Sequence, residues 1–243
     1  MIISKNFLNK ISPLYSADTG TELISTLLYS LIRMTRPKTV LEIGSGYTTA
    51  FILSALSENF SDYWNEMKLI DNHIDQLQRV PPNMVSDYYL ETSKKPLLYT
   101  IDNLSSSVSK ASQVSGVIQE LGLEAFSKVI NKNFTDCAND FSQNNSLFDF
   151  AWFDCGGHKE YVDFLDNYWK LINPDGGMLL LHSTLTNSAI HEVIVQLKQR
   201  LLASDNKDFE LLSLLEPHKR MQNSVTMIRM ISQTKIKIYS AHP

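Results

Sequence analysis

The 243-residue sequence predicts a doubly wound α/β fold: a seven-stranded, mostly parallel sheet with an antiparallel last strand. Three observations carry this expectation. From residue 39 onward, short apolar and β-branched runs alternate with segments of helical apolar period, the signature of repeated β–α–β units. Two of the runs, FDFAWFD (148–154) and GMLLLH (177–182), are nearly continuous apolar stretches, as strands buried on both sheet faces are. The last two runs, 209–215 and 224–231, follow one another without a helix between them, so they pair as a hairpin and make one edge antiparallel.

The elements follow in order. Ile2, Ile3, Phe7, Leu8 and Ile11 have helical spacing, and Pro13 stops that helix. Asp18 or Thr19 then caps a second helix with Glu22 in its first turn, and Leu23, Ile24, Leu27, Leu28, Leu31 and Ile32 form its apolar face to Met34. Thr39–Ile43 is the first strand, Gly44-Ser45-Gly46 a turn, and Tyr47–Leu56 a helix. Residues 57–96 are too many for a tight helix-to-strand connection and too apolar for a solvated linker. With Tyr63, Trp64, Tyr88 and Tyr89 they read as a helical insertion and a candidate lid. Leu97–Asp102 is the second strand, Val117–Gly122 a helix end with a glycine stop, and Phe126–Asn131 a weak third strand. Residues 133–142 form a loop and short helix, 161–172 and 186–202 two amphipathic helices. The whole of 1–243 is expected to be a single domain, with 1–36 as an N-terminal helical cap.

Composition excludes several classes. Hydrophobic residues at 43% and charged residues at 20% rule out a disordered chain. A net charge of -4 argues against a general nucleic-acid binder, which needs phosphate-neutralising cations. The two cysteines, Cys137 and Cys155, form neither a disulfide framework nor a CxxC zinc motif and are expected to be reduced thiols. The N-terminus shows no secretory leader, and no apolar run approaches the roughly 20 residues that span a bilayer. The expected location is cytoplasmic.

The chemistry concentrates at strand ends. Val40-Leu-Glu-Ile-Gly-Ser-Gly46 opens the first strand-to-helix turn, where two glycines let backbone amides approach a ligand at a helix N-terminus. A dinucleotide fingerprint would place a third glycine at position 49, which is Thr49, so a different ligand is indicated and a dinucleotide oxidoreductase is disfavoured. Asp102 ends the second strand, where an acid can hold two ribose hydroxyls. Asp136 follows the third, where it could read an adenine edge, and Asp154 ends the fourth. In open α/β sheets, ligands bind beyond the carboxyl ends of the strands.

On LEIGSGYTT (41–49), YTID (99–102), FDFAWFDCGGHKEY (148–161), LINPDGGMLLLH (171–182) and the terminal hairpin, the chain resembles a class I S-adenosylmethionine-dependent methyltransferase over residues 20–231. That resemblance implies a Rossmann-like methyltransferase fold, S-adenosylmethionine as cofactor and S-adenosylhomocysteine as its product. It places Glu42, Gly44, Ser45 and Gly46 around the methionine part of the cofactor, with Tyr47 and Thr48 beside them. It places Asp102 on the ribose with Asn103, and Asp136 and Cys137 near the adenine, with Asp154 at the mouth.

The segment 148–161 is also distantly similar to catechol-type O-methyltransferases, which bind a divalent metal through the fourth-strand Asp and an Asp-Asn pair ending the fifth strand. Here the fifth strand ends His182-Ser183, so those metal ligands are lacking and a metal-independent enzyme is expected. A softer metal on His158, His182 and Asp154 is the alternative. His182 and His158, with Asp154, are the candidate catalytic residues, because neutral imidazole suits a general base. Tyr15 and Asp18 of the N-terminal segment, and His218, Lys219 and Arg220 of the hairpin tip, are candidate substrate contacts. The expected function is methylation of O, N or an activated carbon of a small molecule, with natural-product tailoring as the preferred role. The rivals are an RNA or protein methyltransferase and a non-catalytic cofactor-binding module. A homodimer is the default oligomer, with neither nucleic acid nor membrane as partner.

Overall fold

The computed structural model describes residues 3–17, 19–77, 95–106, 109–203 and 209–231. Its strands are β1 (Thr39–Ile43), β2 (Leu97–Ile101), β3 (Ser127–Ile130), β4 (Phe150–Phe153), β5 (Met178–His182), β6 (Phe209–Leu215) and β7 (Ser224–Met230). They form a seven-stranded sheet in the order β3-β2-β1-β4-β5-β7-β6. The pairs β1–β2, β2–β3 and β4–β5 are parallel, and β7 is antiparallel to both β5 and β6. The predicted fold class is therefore observed, and β7 is the strand that reverses. By its contacts the chain divides into two compact units, 1–134 and 135–243.

In the first unit, α1 (Lys5–Ile11) is capped by Ser4, whose side chain accepts from the Phe7 amide at 3.1 Å, and Phe7 and Ile11 are buried. Helix α2 (Glu22–Thr35) buries Ile24, Leu28 and Ile32 and ends at Arg36 in the left-handed region. Its N-cap is Thr21, not Asp18 or Thr19. The Thr19 hydroxyl donates to the Ser16 carbonyl instead, at 2.9 Å, and Asp18 lies outside the described residues. Helix α3 (Tyr47–Leu77) corrects the expected break at Leu56, because it continues for about six further turns as one helix.

The cause of that continuation is polar. Arg33 of α2 binds Glu58 at 3.2 Å, Asp62 at 2.6 Å and the Asn59 side-chain carbonyl, and Arg36 grips Glu66 through two bonds of 2.6 and 2.7 Å. Tyr29 donates to Glu58 at 2.6 Å, and burial together with that bond pushes its phenol up to about 12. A helix that looks polar-faced by itself is thus stapled to its neighbour. On the same helix Trp64 is half exposed and lies edge-on to Phe60 and Tyr63. Tyr88, Tyr89 and the remainder of the candidate lid over 78–94 lie outside the described residues. Helix α4 (Ala111–Leu121) stops at Gly122, φ 70°, as its glycine predicts.

In the second unit, α5 (Phe134–Gln143), α6 (His158–Tyr168) and α7 (Ser188–Ala203) accompany β4 to β7. Its core is aromatic: Phe153, Phe164 and Tyr168 stack in series, with ring centroids 4.4 and 5.1 Å apart. Burying each such ring stabilises the fold by about 1.5–3 kcal/mol. Trp152 is fully buried, as a core residue should be. Helix α6 begins three residues earlier than the apolar period indicates. Gly157 is its N-cap, and the Glu160 carboxylate accepts from the Gly157 amide at 2.8 Å. Gly156 before it has φ 68°, and a Cβ there would lie 2.4 Å from the Glu160 side chain. Only glycine permits so short a passage from β4 into α6. Among the described residues no helix is long and apolar enough to cross a membrane.

Candidate functional site

In the first unit the site is built on the turn between β1 and α3. Glu42, the fourth residue of β1, is wholly buried. Its carboxylate accepts from the hydroxyls of Thr48 at 2.6 Å, Thr49 at 2.6 Å and Thr100 at 2.7 Å. Because the Thr100 proton is committed to Glu42, the 2.6 Å contact between Ser45 and Thr100 runs with Ser45 as donor. Thr49 in turn accepts from the Gly46 amide at 2.9 Å. Thr49, the departure from the dinucleotide fingerprint, is therefore the residue that ties the turn to the buried acid. Glu42 faces this hydroxyl cage, so it shapes the turn rather than lining the opening.

Gly44 has φ 95°, and its amide donates to the Ile101 carbonyl at 2.9 Å, fixing the turn to the end of β2. A Cβ built on Gly46 would meet no atom within 4 Å, so backbone there faces open space that a ligand can fill. Asp102, one residue beyond β2, accepts from the Ser45 amide at 3.2 Å and the Leu104 amide at 2.7 Å. Each of its oxygens keeps acceptor capacity for a hydroxyl. Asn103 is exposed and closes a local turn by accepting from Ser105. Tyr15 also arrives here: half exposed, it packs edge-on against Tyr47, the first residue of α3, at 5.7 Å. Burial raises the Tyr47 phenol, and the Tyr15 and Glu22 charges add to it.

In the second unit the site is the pair Asp154–His182. Register pairs Phe153 with Leu181, and one step further places Asp154 opposite His182, whose Nδ1 lies 2.6 Å from Asp154 Oδ1. His182, a candidate general base from the sequence, is 0% exposed and so out of a ligand's reach, while the Asp154 side chain is 24% exposed. The Trp152 ring lies 5.5 Å away, and Tyr161 donates to the His182 carbonyl at 2.5 Å. Burial works against a charged His182 ring. The charge and hydrogen bond of Asp154, the Gln222 backbone and the Glu216 charge outweigh it, so the imidazole titrates above its ordinary value. Among the described residues no acceptor meets full hydrogen-bonding geometry at Nε2, although the Gln222 backbone acts on the ring. Of the pair, Asp154 is the member a ligand can reach.

The other candidates scatter. His158 is exposed at the first position of α6. Asp136 is exposed in the first turn of α5, after β3 as expected. Cys137, the next residue, is buried near Tyr168. At the β6–β7 tip, Lys219 is only 14% exposed and pairs with Glu216 at 2.5 Å, which corrects its reading as a cation offered to substrate, whereas His218 and Arg220 are exposed. Among the described residues no group of three or more His, Cys, Asp or Glu side chains could hold a metal ion. Thr100 and Tyr161 were not singled out from the sequence, and Thr49 only as a missing glycine. A hydroxyl two residues before Asp102 was the available signal for Thr100.

The methyltransferase-domain family matches residues 41–184, more than half of the chain. The fold is shared with the O-methyltransferase TomG from Streptomyces achromogenes, involved in tomaymycin synthesis and solved with S-adenosylmethionine. That match has 13% identity and a TM-score of 0.63, covering 94% of this chain and 91% of that one. An O-methyltransferase from Bacillus cereus with S-adenosylhomocysteine matches at 13% identity and TM-score 0.63, covering 95% and 93%. The methyltransferase PaMTH1 from Podospora anserina, bound to S-adenosylhomocysteine, matches at 14% identity and TM-score 0.60, covering 94% and 88%. No curated protein matches the sequence. The chain belongs to the methyltransferase-domain family, as its resemblance to the class I S-adenosylmethionine-dependent enzymes implied.

Proposed function

We propose that this chain methylates a small-molecule acceptor at a proton-bearing oxygen or nitrogen or at an activated carbon, with S-adenosylmethionine as donor and without a metal. The observation that carries the proposal is the Asp154–His182 pair at the ends of β4 and β5, in a chain of a methyltransferase family. The residues present fit the cofactor: a glycine turn with open space over Gly46, and Asp102 with acceptor capacity for ribose hydroxyls. Gly44, Ser45, Gly46, Tyr47 and Thr48 would hold its methionine part with Glu42 buttressing them, Asp102 and Asn103 its ribose, and Asp136 its adenine. Bound there, the cofactor supplies a sulfonium methyl, already strongly electrophilic, so the protein has mainly to orient the acceptor.

Asp154 accepts the proton that an oxygen or nitrogen acceptor loses, and His182 behind it stabilises the pair. Tyr15 and the exposed His218 contact the acceptor. The whole of 1–243 acts as one methyltransferase domain, with 1–36 as helical cap. The enzyme is a cytoplasmic homodimer that needs no nucleic acid. The tailoring role draws support from the involvement of TomG in tomaymycin synthesis. The test is transfer of labelled methyl from S-adenosylmethionine to a panel of phenols and amines, with and without EDTA. Label should enter a small molecule equally in both. Loss with EDTA and return with magnesium would overturn metal-independence, and label entering only RNA or protein would overturn the acceptor class.

A further inference from the structure

We infer that Tyr161 is a positioning residue that sets the Asp154–His182 geometry. This rests on the methyl-transfer reading above. The last laddered pair of β4 and β5 is Phe153 with Leu181, so Asp154 lies one residue past the end of β4 and no strand ladder fixes it against His182. Tyr161 touches both ends. Its ring packs edge-on against Phe153, the last residue of β4, with centroids 4.7 Å apart at 85°. Its hydroxyl donates to the carbonyl of His182, the last residue of β5, at 2.5 Å. The side chain is 2% exposed, so no water competes for that bond.

Both ends of this staple are themselves fixed. Tyr161 sits in the first turn of α6, where its amide donates to the Gly157 carbonyl at 3.1 Å, and the Gly157–Glu160 cap anchors that turn. On the β5 side, Ser183 takes a left-handed φ of 53° and its amide donates to the Ser224 carbonyl at 2.7 Å. The chain therefore turns sharply directly after the carbonyl that Tyr161 holds. A left-handed non-glycine residue persists only where its surroundings over-determine it. The charged and titratable groups acting on His182 are Asp154 beyond β4 and Glu216 beyond β6, while the charges acting on Tyr161 are Asp154 and Cys155. Tyr161 contributes no charge of its own, because burial and those neighbours raise its phenol well above the ordinary value. Its influence on the pair is geometric.

The experiment compares Tyr161→Phe, which keeps the ring and removes only the hydroxyl, with wild type and Asp154→Asn. Tyr161→Phe should lower kcat about 10-fold with KM for S-adenosylmethionine unchanged. It should also move the acid limb of the kcat profile toward the imidazole's ordinary 6.5, because a loosened pair couples less. A fall in kcat with the acid limb in place would mark a merely structural role and overturn the inference. Should Tyr161→Phe not fold, Phe153→Leu removes the other contact of the staple, and an unmoved acid limb there overturns it equally. If Asp154→Asn keeps wild-type turnover, the proton-acceptor reading itself falls. If Asp154→Asn is inactive while Tyr161→Phe behaves as wild type, only the positioning role falls.

Discussion

Asp154→Asn lowers kcat for a hydroxyl or amine acceptor by about 10²- to 10⁴-fold, the usual contribution of a positioned general base. The amide keeps the shape and still reaches His182, but it cannot take a proton. Cofactor affinity stays near wild type, because the glycine turn and Asp102 belong to other elements. The pH dependence carries a sign that tests the pair. In the wild type, turnover requires the pair without its extra proton, so kcat rises with pH through a value above 6.5. Stability runs the other way. A His182 raised in the folded state contributes stability that is fully present below the unfolded imidazole value and lost as pH rises through the folded one. In Asp154→Asn burial still lowers the imidazole and only the Gln222 backbone and the Glu216 charge oppose it, so it titrates lower than in the wild type and the stability lost with rising pH shrinks. Kinetic profiles and thermal melts across pH 5 to about 9 read both signs. An Asp154→Asn enzyme with wild-type kcat contradicts the assignment.

Glu42→Ala is expected to cost roughly 3 kcal/mol or more of folding stability, since it orphans the buried hydroxyls of Thr48, Thr49 and Thr100. For a chain of this size that lowers Tm by about 10 °C. Cofactor binding weakens as well, although the carboxylate faces the cage, because the turn carrying Ser45 and Gly46 hangs on the same network. Glu42→Gln keeps one acceptor oxygen and falls between the two. Denaturant unfolding of the three proteins gives the order, and an alanine variant as stable as wild type contradicts the cage.

Most of the sheet was legible because period-2 and 3.6 patterns report local burial, and continuous runs such as MLLLH report strands covered on both faces. The turn at 44–46 and the stop at Gly122 were legible because their backbone needs glycine. The extent of α3 was not. Glu58, Asn59, Asp62 and Glu66 interrupt the apolar period of Tyr47–Leu56, and only their partners Tyr29, Arg33 and Arg36, about 30 positions earlier, show why the same helix runs on. Nor was the depth of His182. Its place at a strand end follows from the apolar run, but its burial depends on β7, whose Val225 lies opposite. Thr49 stood out in the sequence only as a missing glycine, and its role needed Glu42 and Gly46 at hydrogen-bonding distance.

The central claim is that the turn at 44–46 and Asp102 form the binding site for S-adenosylmethionine. Calorimetric titration of wild type and Asp102→Ala with S-adenosylmethionine and S-adenosylhomocysteine tests it most directly. Saturable binding of both to the wild type, lost in a variant that melts normally, is the predicted result. Equal binding by the two proteins, or none by the wild type, would contradict it.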